Sequence, residues 1–236
     1  MRLIPLIFLF LFSTIAIAQK EEVDEYNRNL EDLTIPKKGP NKSKYTHAFL
    51  AYGFIVGPSE GDSSALKYGN SSTFSVGFRN KYRLSKFYEI GFDFSYLRTR
   101  FLPVQDSAKN VPNRELHDKE MLAINALELL VFNRFKFKNK VHSAGIFLDL
   151  GAYGNWNYRT VHYTRNDNAV PGAKETIIKD YHLDYMTDYA YGVSARLGFN
   201  RFTIDVRYRL SDVFEGNNNY GEFPNMTIGL QLGLHQ

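Results

Sequence analysis

Residues 202–210 alternate without a break: Phe202, Ile204, Val206, Tyr208 and Leu210 are apolar or aromatic, and Thr203, Asp205, Arg207 and Arg209 lie between them. Successive side chains of a strand point to opposite faces, so this segment has one greasy face and one ionic face. A helix would smear the two sets around a cylinder. The pattern recurs along the chain. Phe74, Val76 and Phe78 oppose Ser75, Gly77 and Arg79, and Tyr88, Ile90, Phe92, Phe94 and Tyr96 oppose Glu89, Gly91, Asp93 and Ser95. Tyr189, Tyr191, Val193, Ala195 and Leu197 oppose Ala190, Gly192, Ser194 and Arg196; Ile228, Leu230, Leu232 and Leu234 oppose Thr227, Gly229, Gln231 and Gly233.

Three further segments are less regular. Residues 46–56 carry apolar side chains at both parities, so periodicity leaves their facing open. In 123–137, Leu127, Leu129, Val131 and Phe135 form an apolar face with Glu128 opposite, although 119–130 alone also passes for a helix. In 141–158, Ile146, Leu148, Leu150, Trp156 and Tyr158 share a face opposite Asp149, Asn155 and Asn157. The total is eight strands.

The connections alternate in length. Short turns are expected at 85–86, 138–140 and 200–201, with Asn available where a positive φ is needed. Long connections are expected at 57–72, 101–121, 162–187 and 211–225, the third with a stretch (Glu175, Thr176, Ile177, Ile178) that extends its hairpin. Both ends of the barrel segment then fall on the short-turn side, which requires an even strand count.

The chain opens with Arg2, an apolar run over 3–15 and then Ala16, Ile17 and Ala18, which reads as a secretory signal peptide spanning 1–18. A run of about 13 residues is short against the roughly 20 that span a membrane as a helix. Residues 19–43 pass from Glu21, Glu22, Asp24, Glu25, Glu31 and Asp32 to Pro36, Lys37, Lys38, Pro40 and Lys42, and are expected to form a periplasmic tether. Residues 44–236 form the barrel. With no cysteine, disulfides and thiolate metal sites are excluded. The formal charge of +4 falls to +3 when the single Arg in 1–18 is removed, and no basic block marks a nucleic-acid surface.

A soluble lipocalin-like barrel or a sandwich also alternates, with its apolar face inward. Export, loop asymmetry and the aromatic positions favour lipid outside instead. Tyr82, Tyr88, Phe135, Phe199 and Phe202 fall beside the short turns, whereas Tyr96, Trp156, Tyr158, Tyr189 and Tyr208 fall toward the long loops. Two such bands match interfacial girdles. The expected fold is therefore all-β: an eight-stranded antiparallel up-and-down transmembrane β-barrel with short periplasmic turns and long extracellular loops, in the cell outer membrane.

On these residues the chain resembles the small outer-membrane barrels of the OmpA and OmpX kind. Its Gly- and aromatic-rich strands and Tyr-rich loops look most like the porin-like or PorT-like versions common in Bacteroidota. The resemblance covers about residues 45–236. Where many such barrels end in an aromatic residue, this chain ends Leu232, Gly233, Leu234, His235, Gln236. A PorT-like resemblance implies an accessory of a secretion or uptake complex.

Eight strands enclose a lumen just wide enough to be filled by side chains. The inward set includes Arg79, Glu89, Asp93, Glu128, Asp149, Arg196, Asp205, Arg207 and Arg209, with Lys81 and Arg83, and these are expected to pair as an ionic plug. A general diffusion pore needs more strands. No catalytic, cofactor or metal site is expected. His142 and Ser143 are neighbours, so a strand turns them to opposite faces. His162 and His182 sit on the third long loop as the remaining metal candidates, and Asp93 and Asp149 have many basic neighbours. The leading reading is a non-enzymatic structural or interaction module. Its long loops, above all 162–187 with Arg159, Arg165, Lys174 and Lys179, would meet outer-membrane lipids, lipopolysaccharide or an envelope protein complex. The alternatives are a narrow channel or complex accessory, and more remotely a soluble lipocalin-like binder or a lipid-modifying barrel enzyme.

Overall fold

The computed structural model describes residues 39–59, 61–140, 143–216 and 220–234. The expected signal peptide, the tether up to residue 38 and the chain's last two residues lie outside them. Nine strands form one sheet: β1 (Lys44–Val56), β2 (Ser72–Arg83), β3 (Tyr88–Phe101), β4 (Lys119–Lys140), β5 (Ser143–Asp167), β6 (Glu175–Tyr181), β7 (Tyr189–Phe199), β8 (Phe202–Arg209) and β9 (Met226–Leu234). The sheet order is β4-β3-β2-β1-β9-β8-β7-β5-β6, and a further pairing of β4 with β5 closes it. Eight strands therefore make the ring, each antiparallel to its neighbours, and β6 pairs with β5 alone, outside the ring.

The ring is inside-out by the standard of a water-soluble protein. Arg196 is 1% exposed while Leu230 is 63% exposed and Val131 57%. Along β7 and β8 every alternate position follows that division, because the strand period of two sends each ionic side chain to the lumen and each apolar one out. The ambiguous β1 resolves the same way: Phe49 and Ile55 point in, and Leu50, Tyr52 and Phe54 point out. On β4 the lumen face carries Leu122, Ile124, Ala126, Glu128, Leu130, Phe132, Arg134 and Lys136. Residues 119–130 belong to this strand, so the helical alternative is set aside.

Large aromatic rings fit in so narrow a lumen because glycines face them. The ring of Phe147 lies 2.0 Å from where a Cβ on Gly198 would stand, and that of Phe132 lies 2.5 Å from the same point on Gly91. No real Cβ approaches that closely, so glycine at these two positions makes room for the aromatic packing.

The short turns match their sequence signals. Phe199 pairs with Phe202 across the two-residue turn of β7 and β8, where Asn200 takes φ 58°. The β2 to β3 turn is held by Ser85, whose Oγ accepts from the Tyr88 N–H at 3.1 Å. The third long connection has the hairpin extension expected at 175–178 and carries it further. β5 runs 25 residues, to Asp167, and pairs residue for residue with β6, so most of the segment 162–187 is a β-hairpin standing above the ring. Between the pairs Asn125 with Arg159 and Leu127 with Trp156, β5 holds one residue more than β4. This bulge flips the facing of β5: Asn157 is buried below it, and Thr160, His162 and Thr164 are buried above it.

Candidate functional site

The lumen is organised in layers from the short-turn end upward. In the lowest, Arg79 on β2 forks onto Asp93 on β3 at 2.8 and 2.7 Å, which their direct cross-strand pairing permits. Arg196 on β7 donates to the same carboxylate at 2.5 Å and lies 3.5 Å from Asp149. Arg134 on β4 forks onto Asp149 on β5 at 2.6 and 2.8 Å. Glu89 accepts from Lys81 at 2.6 Å and from Lys136 at 3.4 Å. Below these, Asn41 closes the mouth: its side-chain oxygen accepts from Lys136, and its carbonyl accepts from Arg83 at 3.0 Å. Planar guanidinium groups also use aromatic faces, and Arg79, Arg134 and Arg196 all lie over the Phe132 ring, at 5.3, 5.4 and 4.8 Å from its centroid.

The second layer is smaller. Arg207 on β8 donates to Asp205 at 2.7 Å and across the lumen to Glu128 at 2.6 Å. Above it lies a chamber of about 70 Å³ lined by Glu128, Arg207, Tyr153 and Asn155 below and by Leu97, Phe101, Ile124 and Val213 above. Arg209 stands apart from both layers. It holds the fourth loop, donating to the Phe223 carbonyl at 3.0 Å and Asn225 at 2.7 Å.

The long loops fold inward over the chamber. Leu66 from the first, Val111 from the second, Met186 from the third and Val213, Phe214 and Phe223 from the fourth pack on Ile55, Leu97, Phe101, Leu122, Ile124 and Ala126 of the ring. Phe101 stacks on Phe223 at 4.7 Å. The loops thus build an apolar cap of their own. Single apolar residues scattered through polar loops have no periodicity, so this core leaves little trace in the sequence.

Beside the cap, Glu120 at the top of β4 binds His162 at 2.8 Å, Lys109 at 2.7 Å and Gln105 at 2.6 Å, tying the second loop to the hairpin. Burial pushes the Glu120 carboxyl up, but the bonds from His162, Lys109 and Gln105 outweigh it and hold the group below the usual glutamate range. His162 therefore sits on β5 with Glu120, not on a loop beside His182, which is exposed and takes φ 56°. The bulge that turns His162 inward has no clear signal in the sequence. Among the described residues, no group of three His, Asp or Glu is placed to hold a metal ion. His142 lies outside the described residues, as does the side chain of Ser143. Asp93 and Asp149 are each saturated by guanidinium groups.

Arg134 and Lys136 were not among the candidates from sequence, yet they share the parity of Glu128, which is the signal that finds them. The aromatic candidates all lie on the outer face. Tyr82, Trp156, Tyr158, Tyr189, Phe199, Phe202 and Tyr208 are exposed. Tyr88 and Tyr96 are half-buried, with hydroxyls on Asn133 at 2.5 Å and Asn125 at 2.8 Å. Trp156 pairs with Tyr189 near the loop end, and Tyr88 with Phe135 near the turn end. On β7, Tyr189 and Phe199 are ten residues apart. At a rise of about 3.4 Å per residue and a tilt of about 40°, that is about 26 Å of height.

These features define a closed antiparallel β-barrel with an apolar exterior and a filled, ionic lumen. No protein-family model and no curated protein sequence matches the chain. Among solved structures it is similar to the N-terminal β-barrel domain of Pseudomonas aeruginosa OprF, at 12% identity over 81% of this chain and 97% of that one, with a TM-score of 0.28. At that score the similarity is slight, and the barrel assignment stands on the strand pairing itself.

Proposed function

We propose that the protein is an exported outer-membrane barrel that works as a non-enzymatic structural or interaction module rather than as a diffusion pore. The observation that carries this reading is the doubly closed lumen: two layers of paired charges below and a loop-built apolar cap above. An apolar belt about 26 Å high between two aromatic bands suits the hydrocarbon thickness of an outer membrane. The hairpin of β5 and β6 extends past this belt. It offers exposed Ile177, Ile178 and Tyr181 together with Arg159 and Lys179. Their chemistry suits phosphate-bearing headgroups such as those of lipopolysaccharide, or a partner protein in the envelope. Arg165 is less available, being engaged with Asp167 at 3.3 Å and Glu175 at 3.8 Å.

A gated narrow channel is the second reading, favoured by the chamber of about 70 Å³ directly above the Arg207 layer. Planar-bilayer recording of the purified, folded protein separates the two. A silent bilayer supports the module; discrete steps that change in Arg207→Ala support the channel.

A further inference from the structure

We infer that the short-turn end of the lumen holds a single bound halide, chloride under physiological conditions. The argument begins with charge. Ion pairs within 4 Å join Arg79, Lys81, Arg134, Lys136 and Arg196 to only three carboxylates, Glu89, Asp93 and Asp149. Among the described residues this network carries a formal charge of +2, and each of its eight members is 4% exposed or less. The layer above, Arg207 with Glu128 and Asp205, carries −1. The buried networks together therefore hold one positive charge in excess. An uncompensated charge in a dry interior is costly, and the Phe132 quadrupole softens that cost without removing the charge.

Geometry says where the balancing anion sits. A pocket at the turn end is walled by Arg79, Lys81, Arg134 and Arg201, with His47 and Thr203, and among the described residues no carboxylate lines it. Six strands and the β7 to β8 turn converge there, so the positive wall is assembled from distant parts of the chain. Deeper in the same network, Nε of the fully buried Arg196 has no hydrogen-bond acceptor, and its Nη2 reaches Asp149 only at 3.5 Å. The pocket volume is about 10 Å³, the scale of one water-sized particle. A space of that scale suits a single small anion, and chloride is the small anion that physiological media supply. Arg201 is exposed, so the site exchanges with solvent on the turn side. One chloride there brings the buried charge of the lumen to zero.

The test uses the full folded protein in micelles, with the compact unboiled band confirming a closed barrel in every sample. Thermal midpoints are measured in chloride, bromide, gluconate and sulfate at one ionic strength, and crystals grown in bromide are examined for anomalous scattering. The expected result is a saturable rise in midpoint with chloride and bromide only, and one anomalous peak in contact with Lys81, Arg134 and Arg201. Arg201→Gln, at an exposed turn position that leaves the ion pairs intact, is expected to weaken apparent chloride affinity about tenfold. A midpoint indifferent to anion identity, equal stabilisation by sulfate, or a peak without anomalous signal (a water) overturns the inference.

Discussion

Asp93 is the residue on which the lower lumen turns. It accepts three charged hydrogen bonds, two from Arg79 and one from Arg196. Removing one member of a buried ion pair leaves the other unpaid by solvent, and such losses run to about 3–5 kcal/mol. Asp93→Asn keeps the shape but raises the local excess of positive charge by one. Its unfolding free energy, from a urea titration followed by loss of the compact gel band, is expected to fall by an amount in that range. A fall below about 1 kcal/mol, the value of an ordinary hydrogen bond, would show that the network is wet and screened.

At the scale of elements, Glu120 is the ionic tie between the second loop and the hairpin, beside the packing of Val111 in the cap. The Glu120 carboxyl is held below its ordinary value in the folded protein. A depressed acid contributes stability that is full above the unfolded pKa, near 4.5, and is lost as pH falls through the folded value. Lowering pH through that window should therefore free residues 102–118 from Lys109 outward while the ring stays closed. Amide exchange of that segment, corrected for intrinsic rate, is expected to rise between pH 6 and pH 3 in the native chain. In Glu120→Gln it should be fast at both. Equal protection of the loop in Glu120→Gln and the native chain at pH 6 would remove Glu120 as the tie.

Elements also show what the sequence could and could not disclose. The strands were legible because a period of two is a strong signal wherever one face is apolar, as in 202–210 and 88–96. The eight-strand closure followed from the alternation of short and long connections. Three features were not legible. The bulge near Arg159 adds one residue without any special residue to announce it, so the sequence alone puts His162 on a loop. The strand character of Glu175–Tyr181 was visible only as a hint, because neither of its faces is continuously apolar. The cap is made of isolated residues such as Val111 and Met186, whose partners lie far away in sequence. Eleven inward charges can be named from parity, which also reaches Arg134 and Lys136, but their pairing needs the register between strands.

For the whole molecule the question is which medium covers the outer face, since a closed ring with charges inside and Phe, Leu and Val outside has no stable counterpart in water. Val131 provides the sharpest probe. It points outward on β4, four residues from Phe135 of the turn-side band and four from Leu127, which pairs with Tyr96 of the loop-side band. That places it near the middle of the belt, away from the ionic networks and the cap. In lipid, Arg on the outer face of a barrel costs about 2–4 kcal/mol at the midplane and close to nothing near the interfaces. On a water-facing surface the same substitution stays within about 0.5 kcal/mol. Val131→Arg is therefore expected to lower stability in phospholipid vesicles by about 2–4 kcal/mol, and Tyr189→Arg at the loop-side rim by less than about 1 kcal/mol. Equal and small effects at both positions would mean that the belt faces water, and the apolar exterior would then have to be covered by protein instead.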